Sequence, residues 1–346
     1  MYFREMKLLR RILSPLRWIY AALMSIRNGL FKFGFLVQYK STIPVISIGN
    51  LSMGGTGKTP HIIFLINRLK QNKIAVLSRG YGRKIKNLID GDISRHSIKD
   101  IGDEPYELLE KFDSENFQVI VNANRKQALN YLEKQETPPG IVLLDDGFQH
   151  RYVQRDLNIL LTDIQSPFYS DKVFPAGNLR ENIEGAERAD LIIVTKCPKE
   201  LSSGKQTIIK KKIETFSKAA VYFSCIRYQG FKNKENLDAR LITNGKYLLI
   251  TSIAFTKSIE DHLYSNEIYF EHLTYKDHHN FSKNEIKEIA KKSTKFVGII
   301  TTEKDWMRLR ESDLHKKTQT DIYRLQIEIE LLHSDEQFMK RLNEIN

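Results

Sequence analysis

The sequence predicts an α/β fold, a mostly parallel sheet covered by helices, with a second, smaller α/β domain after it. Three observations carry this. Short apolar runs recur at Val45–Ile48, Ile74–Leu77, Val119–Val121, Ile141–Leu144, Ile159–Leu161 and Leu191–Val194. They are continuous rather than alternating, as strands buried on both faces are. Helical stretches such as Pro60–Lys70 and Pro105–Phe112 separate several of them, and 346 residues, 41% hydrophobic and 28% charged, suffice for two domains with their own cores.

The first 40 residues are set apart by charge. Eight Lys/Arg stand there against the single acid Glu5, which places seven of the twelve net positive charges in this segment. Leu9, Ile12, Leu16, Ile19, Leu23, Ile26, Leu30, Phe33 and Val37 are spaced by threes and fours, along one helical face. Pro15, Gly29 and Gly34 are expected to interrupt that helix. The longest uncharged run, Trp18–Ile26, is nine residues, against roughly 18 for a membrane span. No small-residue cleavage site follows, as a secretory signal would require. A basic amphipathic segment with Trp18 and Tyr20 fits an anionic membrane interface. Packing of the stripe on the protein's own body is the other reading, and one helix can do both. Charge gathered on an apolar-striped segment argues against nucleic acid as the partner. Cys197 and Cys225 have no metal or redox spacing and suit a reducing compartment.

From Ile43 the chain reads as strand, glycine-rich turn and amphipathic helix. The turn holds Ser52, Met53, Gly54, Gly55, Thr56, Gly57, Lys58 and Thr59. Small residues let backbone N–H groups close around phosphates, Lys58 reaches the β/γ oxygens, and the Thr59 hydroxyl suits Mg²⁺. The strict pattern has glycine where Ser52 stands, but the strand-to-helix context is the one the motif requires, and Pro60 is tolerated in a first helical turn. The fold is therefore expected to be P-loop NTPase-like, with a nucleoside triphosphate and Mg²⁺ as its ligands. A second feature, Gly140–Arg151, ends four apolar residues in Asp145-Asp146, where a buried strand delivers carboxylates to the metal beside a phosphate loop.

Three further segments are individually weaker. Ser78–Arg83 has glycines suited to a turn and two arginines, Arg79 and Arg83, suited either to phosphate or to solvent. Asp103, in Gly102–Pro105, is either a helix cap or a site acid. Asp277–Asn280 carries His278 and His279 just before the capping box Ser282–Glu285, at a helix N-terminus. After Cys197 the chain turns polar and lysine-rich, and strands are expected at Tyr247–Ile253, Phe296–Thr301 and Ile322–Ile329. The expected organisation is residues 1–40 as an interfacial segment, 41–225 as the nucleotide-binding core and 226–346 as the smaller domain.

Taken in order, GGTGKTP, SRGYGRK, GDEP, LLDDGFQHR, FPAGNLRE, DHHNFS and TEKDW resemble the tetraacyldisaccharide 4'-kinases of lipid A biosynthesis, over most of the chain. The resemblance implies transfer of the γ-phosphate of ATP to the 4'-hydroxyl of an acylated glucosamine disaccharide 1-phosphate, at the cytoplasmic face of the bacterial inner membrane. It makes Ser52 ordinary, assigns Asp103 as base with His278 as its partner, and places metal-associated acids at Asp145, Asp146 and, less directly, Glu181. Arg79 and Arg83 are then expected to meet the substrate. Asn178 and Asn182 stand where relatives often have proline, and Ser252–Phe255 replaces a commoner Gly-Ile-Ala. The competing function is a membrane-attached P-loop ATPase switch acting on a protein partner, which has no need of an acid–histidine pair.

Overall fold

Each apolar run of the sequence becomes a strand in the computed structural model, which describes residues 14–69, 73–112, 114–253, 256–277, 279–333 and 335–345. The elements are α1 (Leu16–Lys32), β1 (Val45–Asn50), α2 (Lys58–Arg68), β2 (Ile74–Ser78), β3 (Ile89–Asp90), α3 (Ile98–Ile101), α4 (Asp103–Lys111), β4 (Phe117–Val121), α5 (Arg125–Glu133), β5 (Ile141–Asp145), β6 (Leu157–Asp163) and β7 (Leu191–Thr195). There follow α6 (Ser203–Glu214), β8 (Ala220–Lys232), β9 (Asp238–Ala239), β10 (Lys246–Thr251), α7 (Lys257–Ser265), β11 (Tyr269–Thr274), α8 (Lys283–Ser293), β12 (Ile299–Thr302), α9 (Glu303–Glu311), α10 (Leu314–Lys317), β13 (Ile322–Leu331) and α11 (Asp335–Asn343).

The strands lie in the order β11-β10-β12-β13-β8-β7-β6-β1-β5-β2-β4-β3, with β9 paired to β8. Neighbours are parallel except where β3 meets β4 and where β8 meets β13 and β9. At the centre β1 runs between β5 and β6, with Ile48 opposite Asp145. The turn after β1 and the carboxylates after β5 therefore leave the sheet at the same edge, where open α/β sheets bind ligands. Both faces are covered, as continuous apolar runs require: Ile46, Val76 and Leu143 pack to one side, Val45, Leu77 and Leu144 to the other.

One strand links the two halves. Ala220–Phe223 of β8 pairs parallel with β7, and Ser224–Lys232 then pairs antiparallel with β13. The boundary expected between residues 225 and 226 thus falls inside a strand that belongs to both half-sheets. The end of the chain also crosses back: Phe338 and Leu342 of α11 are fully buried in the core beneath β1, and the Phe338 ring meets that of Phe64 at 5.8 Å. Burying such a phenylalanine contributes roughly 1.5–3 kcal/mol, enough to fasten the C-terminus to the first body.

The helix α1 starts after Pro15 and stops at Lys32, short of Gly34 at φ +78°, as expected of those two residues, but it runs unbroken through Gly29. A mid-helix glycine costs about 1 kcal/mol, which the contacts of the inner flank offset. Phe31 is buried against Tyr152 and beneath Arg151, the Tyr20 hydroxyl donates to the Arg180 carbonyl, and Asn28 donates to Glu181. The predicted stripe faces the other way: Ile19, Leu23 and Ile26, with Trp18 beside them, are each at least 60% exposed. Packing of the stripe on the body is thereby excluded for these residues; Leu9 and Ile12 lie outside the described ones. Among the described residues no helix is long and apolar enough to cross a membrane.

Candidate active site

A cleft of about 1420 Å³ opens at the carboxyl edge of β1 and β5, between the two halves of the sheet. Its floor is the turn from Met53 to Thr59. Gly57 holds the left-handed conformation, φ +86°, immediately before Lys58 starts α2, so the first N–H groups of that helix face the cleft. The buried Asn50 side chain bonds the Gly54 carbonyl at 3.3 Å and Thr56 Oγ1 at 2.9 Å, fixing the turn from below. Ser52 pairs with Leu179 in an antiparallel bridge, and the Met53 N–H donates to the Asn178 carbonyl. Ser52 is therefore extended backbone, which explains why glycine is not needed there.

Behind the turn lies His61, fully buried. Gly57 O accepts from its Nδ1 at 2.7 Å, so that nitrogen carries the proton, and Nε2 accepts from the Ser224 hydroxyl at 2.9 Å. Burial pushes its pKa down to about 4, so it is neutral at pH 7 and ties the phosphate loop to β8.

The two acids after β5 are treated differently. Asp145 is buried, accepts from Ser78 Oγ at 3.0 Å, and is pushed up to about 6 by burial and then by Asp146. For Asp146 burial acts upward too, but Lys58 and Arg180 outweigh it and hold its carboxyl below the ordinary range. Arg180 Nη1 lies 2.9 and 2.7 Å from its two oxygens, and Lys58 Nζ lies 3.6 Å away. Asp146 also has φ +48°, an uncommon conformation for a non-glycine residue, of the kind concentrated at functional sites.

Thr59, Asp145 and Asp146 line the same cleft. A hydroxyl with one or two carboxylates is the hard oxygen set that Mg²⁺ takes, with phosphate oxygens and water completing the shell. A buried carboxyl whose pKa is raised is also one that a cation would restore to its ionised form.

The opposite wall is made by Arg79, Gly80, Tyr81, Glu104 and Glu107. Gly102, φ +98°, packs against the backbone of Gly80, 3.3 Å from where a Cβ would stand, so the turn after β2 abuts the start of α4. Asp103, the first residue of α4, lies just behind this wall and is ion-paired with Arg308 of α9. From the second body, Asp277, Lys304 and Glu303 reach the cleft. His278 lies outside the described residues. His279 is engaged by Glu285 Oε1 at 3.0 Å and stacks on Tyr275.

Among the described residues, four expected site residues do not line the cleft: Ser52 and Asp103 stand behind its lining, and Arg83 and Glu181 are placed elsewhere. Arg83 is buried and gives its guanidinium to the carbonyls of Val121 and Lys86, both at 2.9 Å, so it braces the turn rather than facing a substrate. Glu181 is 1% exposed, and Asn28, Gln149 and Arg188 donate to it at 2.8, 3.0 and 2.8 Å. Its lone pairs are taken up by this clasp beneath α1, away from the cleft lining. Conversely, Arg125, Gln149, His150, Arg180, Glu107 and Lys304 line the cleft without having been singled out. Gln149, His150, Arg180 and Lys304 lie within quoted motifs and had a signal. The pKa of His150 is pushed down to about 4, by burial and then by Arg125, Arg155, Arg27 and Arg79, so the residue is neutral beside the acids. Glu107 and Arg125 lie on helix faces whose direction the sequence alone does not give.

The family model described as tetraacyldisaccharide-1-P 4'-kinase matches residues 9–346. The chain belongs to the tetraacyldisaccharide 4'-kinase family. Curated members from Bacteroides thetaiotaomicron and Flavobacterium psychrophilum are 40% and 41% identical, over 94% and 97% of this chain and 90% and 97% of their own lengths. The solved structure of LpxK from Aquifex aeolicus, in complex with ATP, is 27% identical and superimposes with a TM-score of 0.74 over 97% of this chain and 99% of that one. The α/β fold of the kinase family thus extends over both bodies of the chain, not only over the phosphate loop.

Proposed function

We propose that this chain transfers the γ-phosphate of ATP to the 4'-hydroxyl of a tetraacyldisaccharide 1-phosphate, giving lipid IVA in lipid A biosynthesis. One observation carries the reading beyond a generic kinase. Tyr20, Met24 and Arg27 of α1 line the same cleft as the phosphate loop, while the other flank of α1 exposes its apolar stripe. A helix lying in the membrane interface would hold the mouth of the cleft beside an acyl-chain-anchored substrate. The positive charge of the N-terminal segment favours an anionic surface, here the cytoplasmic face of the inner membrane.

The chemistry needs positioning and charge neutralisation more than covalent help. A new bond forms between the 4'-oxygen and Pγ as the bond from Pγ to the β,γ-bridging oxygen breaks, and ADP leaves. Lys58 and the N–H groups of the Gly54–Thr59 turn neutralise the β/γ oxygens. Thr59 with Asp145 or Asp146 would hold Mg²⁺, which neutralises further phosphate charge when bound. Arg180 holds Asp146 in place. The proton of the attacking hydroxyl passes to the carboxylate of Asp103, with His278 as its partner. Arg79, on the wall nearest Asp103, is the residue placed to meet the substrate's 1-phosphate.

The test is phosphate incorporation into the disaccharide lipid presented in anionic vesicles, with mass analysis of the product. One phosphate gained at the 4' position per ATP consumed is expected. ATP hydrolysis indifferent to the lipid, with no phosphorylated lipid formed, would sink the reading in favour of an ATPase switch.

A further inference from the structure

We propose that Arg308 is a positioning residue for catalysis: a strut built on the second body that orients the Asp103 carboxylate on the first. This rests on the reading of Asp103 as the base. Arg308 is 5% exposed although it sits between two bodies. Its Nη1 donates to Ser252 Oγ at 3.1 Å and lies 3.8 Å from Asp305 Oδ1. Asp305 is fully buried and is itself fixed by the Ser252 N–H at 3.0 Å and the Thr302 hydroxyl at 2.8 Å. The guanidinium is thus anchored from behind by Ser252 and Asp305 of the second body. Its Nε, at 2.8 Å, and its Nη2 then both donate to one oxygen of Asp103, Oδ2. Two charge-assisted donors converging on Oδ2 pin that oxygen in place, and with Oδ2 and the backbone both held, the torsions that set the aim of Oδ1 are restricted.

The bland alternative is an ion pair that merely docks α4 on α9. The same two helices and their flanks already carry such pairs: Lys99 with Glu311 at 3.0 Å, Lys111 with Glu303 at 3.7 Å, and Glu110 with Arg310. Those are partly exposed single contacts, of the kind worth little to stability. Burying a guanidinium on a prebuilt anchor is more expensive than docking requires. Its return is geometric, because a base misplaced by about 1 Å loses on the order of 10²-fold in rate. A consequence follows for the catalytic cycle. Asp103 is correctly aimed only when the second body is docked, so closure of the cleft and competence of the base are one event.

Steady-state kinetics of Arg308→Gln, Arg308→Lys, Asp103→Asn and the Asp103→Asn/Arg308→Gln double variant test this. Arg308→Gln is expected to lower kcat about 100-fold and leave the KM for ATP within about twofold, as expected when an interaction made only in the transition state is removed. Arg308→Lys, which keeps the charge and one donor, is expected to fall between wild type and Arg308→Gln. The double variant should be no slower than Asp103→Asn, since the strut acts only through that carboxylate. A wild-type kcat for Arg308→Gln beside an impaired Asp103→Asn overturns the strut and leaves the base. A wild-type kcat for Asp103→Asn overturns both. Where Arg308→Gln does not fold, Ser252→Ala decides, because it removes the anchor but not the guanidinium. A kcat lowered about fivefold at constant KM, one hydrogen bond's worth, supports the strut, and an unchanged kcat overturns it.

Discussion

The two walls of the cleft are built on different principles. The phosphate-loop wall comes from a single body and largely from backbone: a strand end, a left-handed Gly57, the first N–H groups of α2 and the facing strand end at Asp145. The other wall adds to the turn after β2 side chains on α4 and α9, two helices 200 residues apart in sequence and joined by ion pairs. The donor side is thus pre-formed wherever the sheet is folded, whereas the acceptor side is complete only where the two bodies meet. Phosphate binding and acceptor activation should therefore fail separately.

The most damaging change on the donor side is Lys58→Ala. It removes the cation between Asp146 and the phosphate oxygens, and kcat/KM is expected to fall roughly 10³-fold. A loss under tenfold in steady-state assays would contradict the assignment. Gly57→Ala probes the backbone alone. A Cβ there would meet the His61 ring at 3.5 Å, an ordinary contact, so space is not the obstacle. The left-handed φ costs an L-residue about 1–2 kcal/mol, which predicts a KM for ATP raised about tenfold with kcat less affected. An unchanged KM would mean that the loop tolerates another backbone path.

This contrast also explains what the sequence disclosed. The donor wall was legible because it is contiguous: a turn of eight residues and one strand end carry its chemistry, and continuous apolar runs announce the buried parallel strands. The acceptor wall was not, since the partnership of Asp103 with Arg308 depends on which helix faces meet across two bodies. Arg83 and Arg79 look equivalent in SRGYGR, yet burial sends one to backbone carbonyls and the other to the cleft. Glu181 sits beside Arg180 in one motif, but it closes on Asn28 and Arg188 while Arg180 reaches Asp146. The edge strand β11 gave no signal because it is half exposed and mixed in polarity. The helix α1 ends where Pro15 and Gly34 were expected to end it, and the further break expected at Gly29 is absent because propensity is a weak prior against tertiary contacts.

A third probe asks whether the lipid reaches the acceptor wall through α1. Trp18→Ser with Ile26→Ser strips apolar surface that is exposed in the protein, so folding should be indifferent. Loss of two such side chains from an interface is worth enough to lower the rate on vesicle-borne substrate about tenfold. ATP binding measured by titration should not change. Equal losses in both would indicate damage to the body instead of to docking.

The smallest expected effect tests the interface between the two bodies. Glu107 lies one turn after Asp103 on α4 and is half buried in the cleft among Glu303, Glu104, Lys111 and Lys304. Burial, then Glu303, pushes its pKa up to about 8, with Lys111 acting in the opposite direction. An acid with a raised pKa in the folded state favours folding in its protonated form. That stability is fully present below the ordinary carboxyl range and is lost as pH rises through about 8. Glu107→Gln imitates the protonated group at every pH. Its melting temperature should match wild type near pH 5 and exceed it by about 2 °C above pH 8, a modest figure because solvent screens a half-buried group. A gap of the same size at both pH values would show that charge at Glu107 does not load the interface.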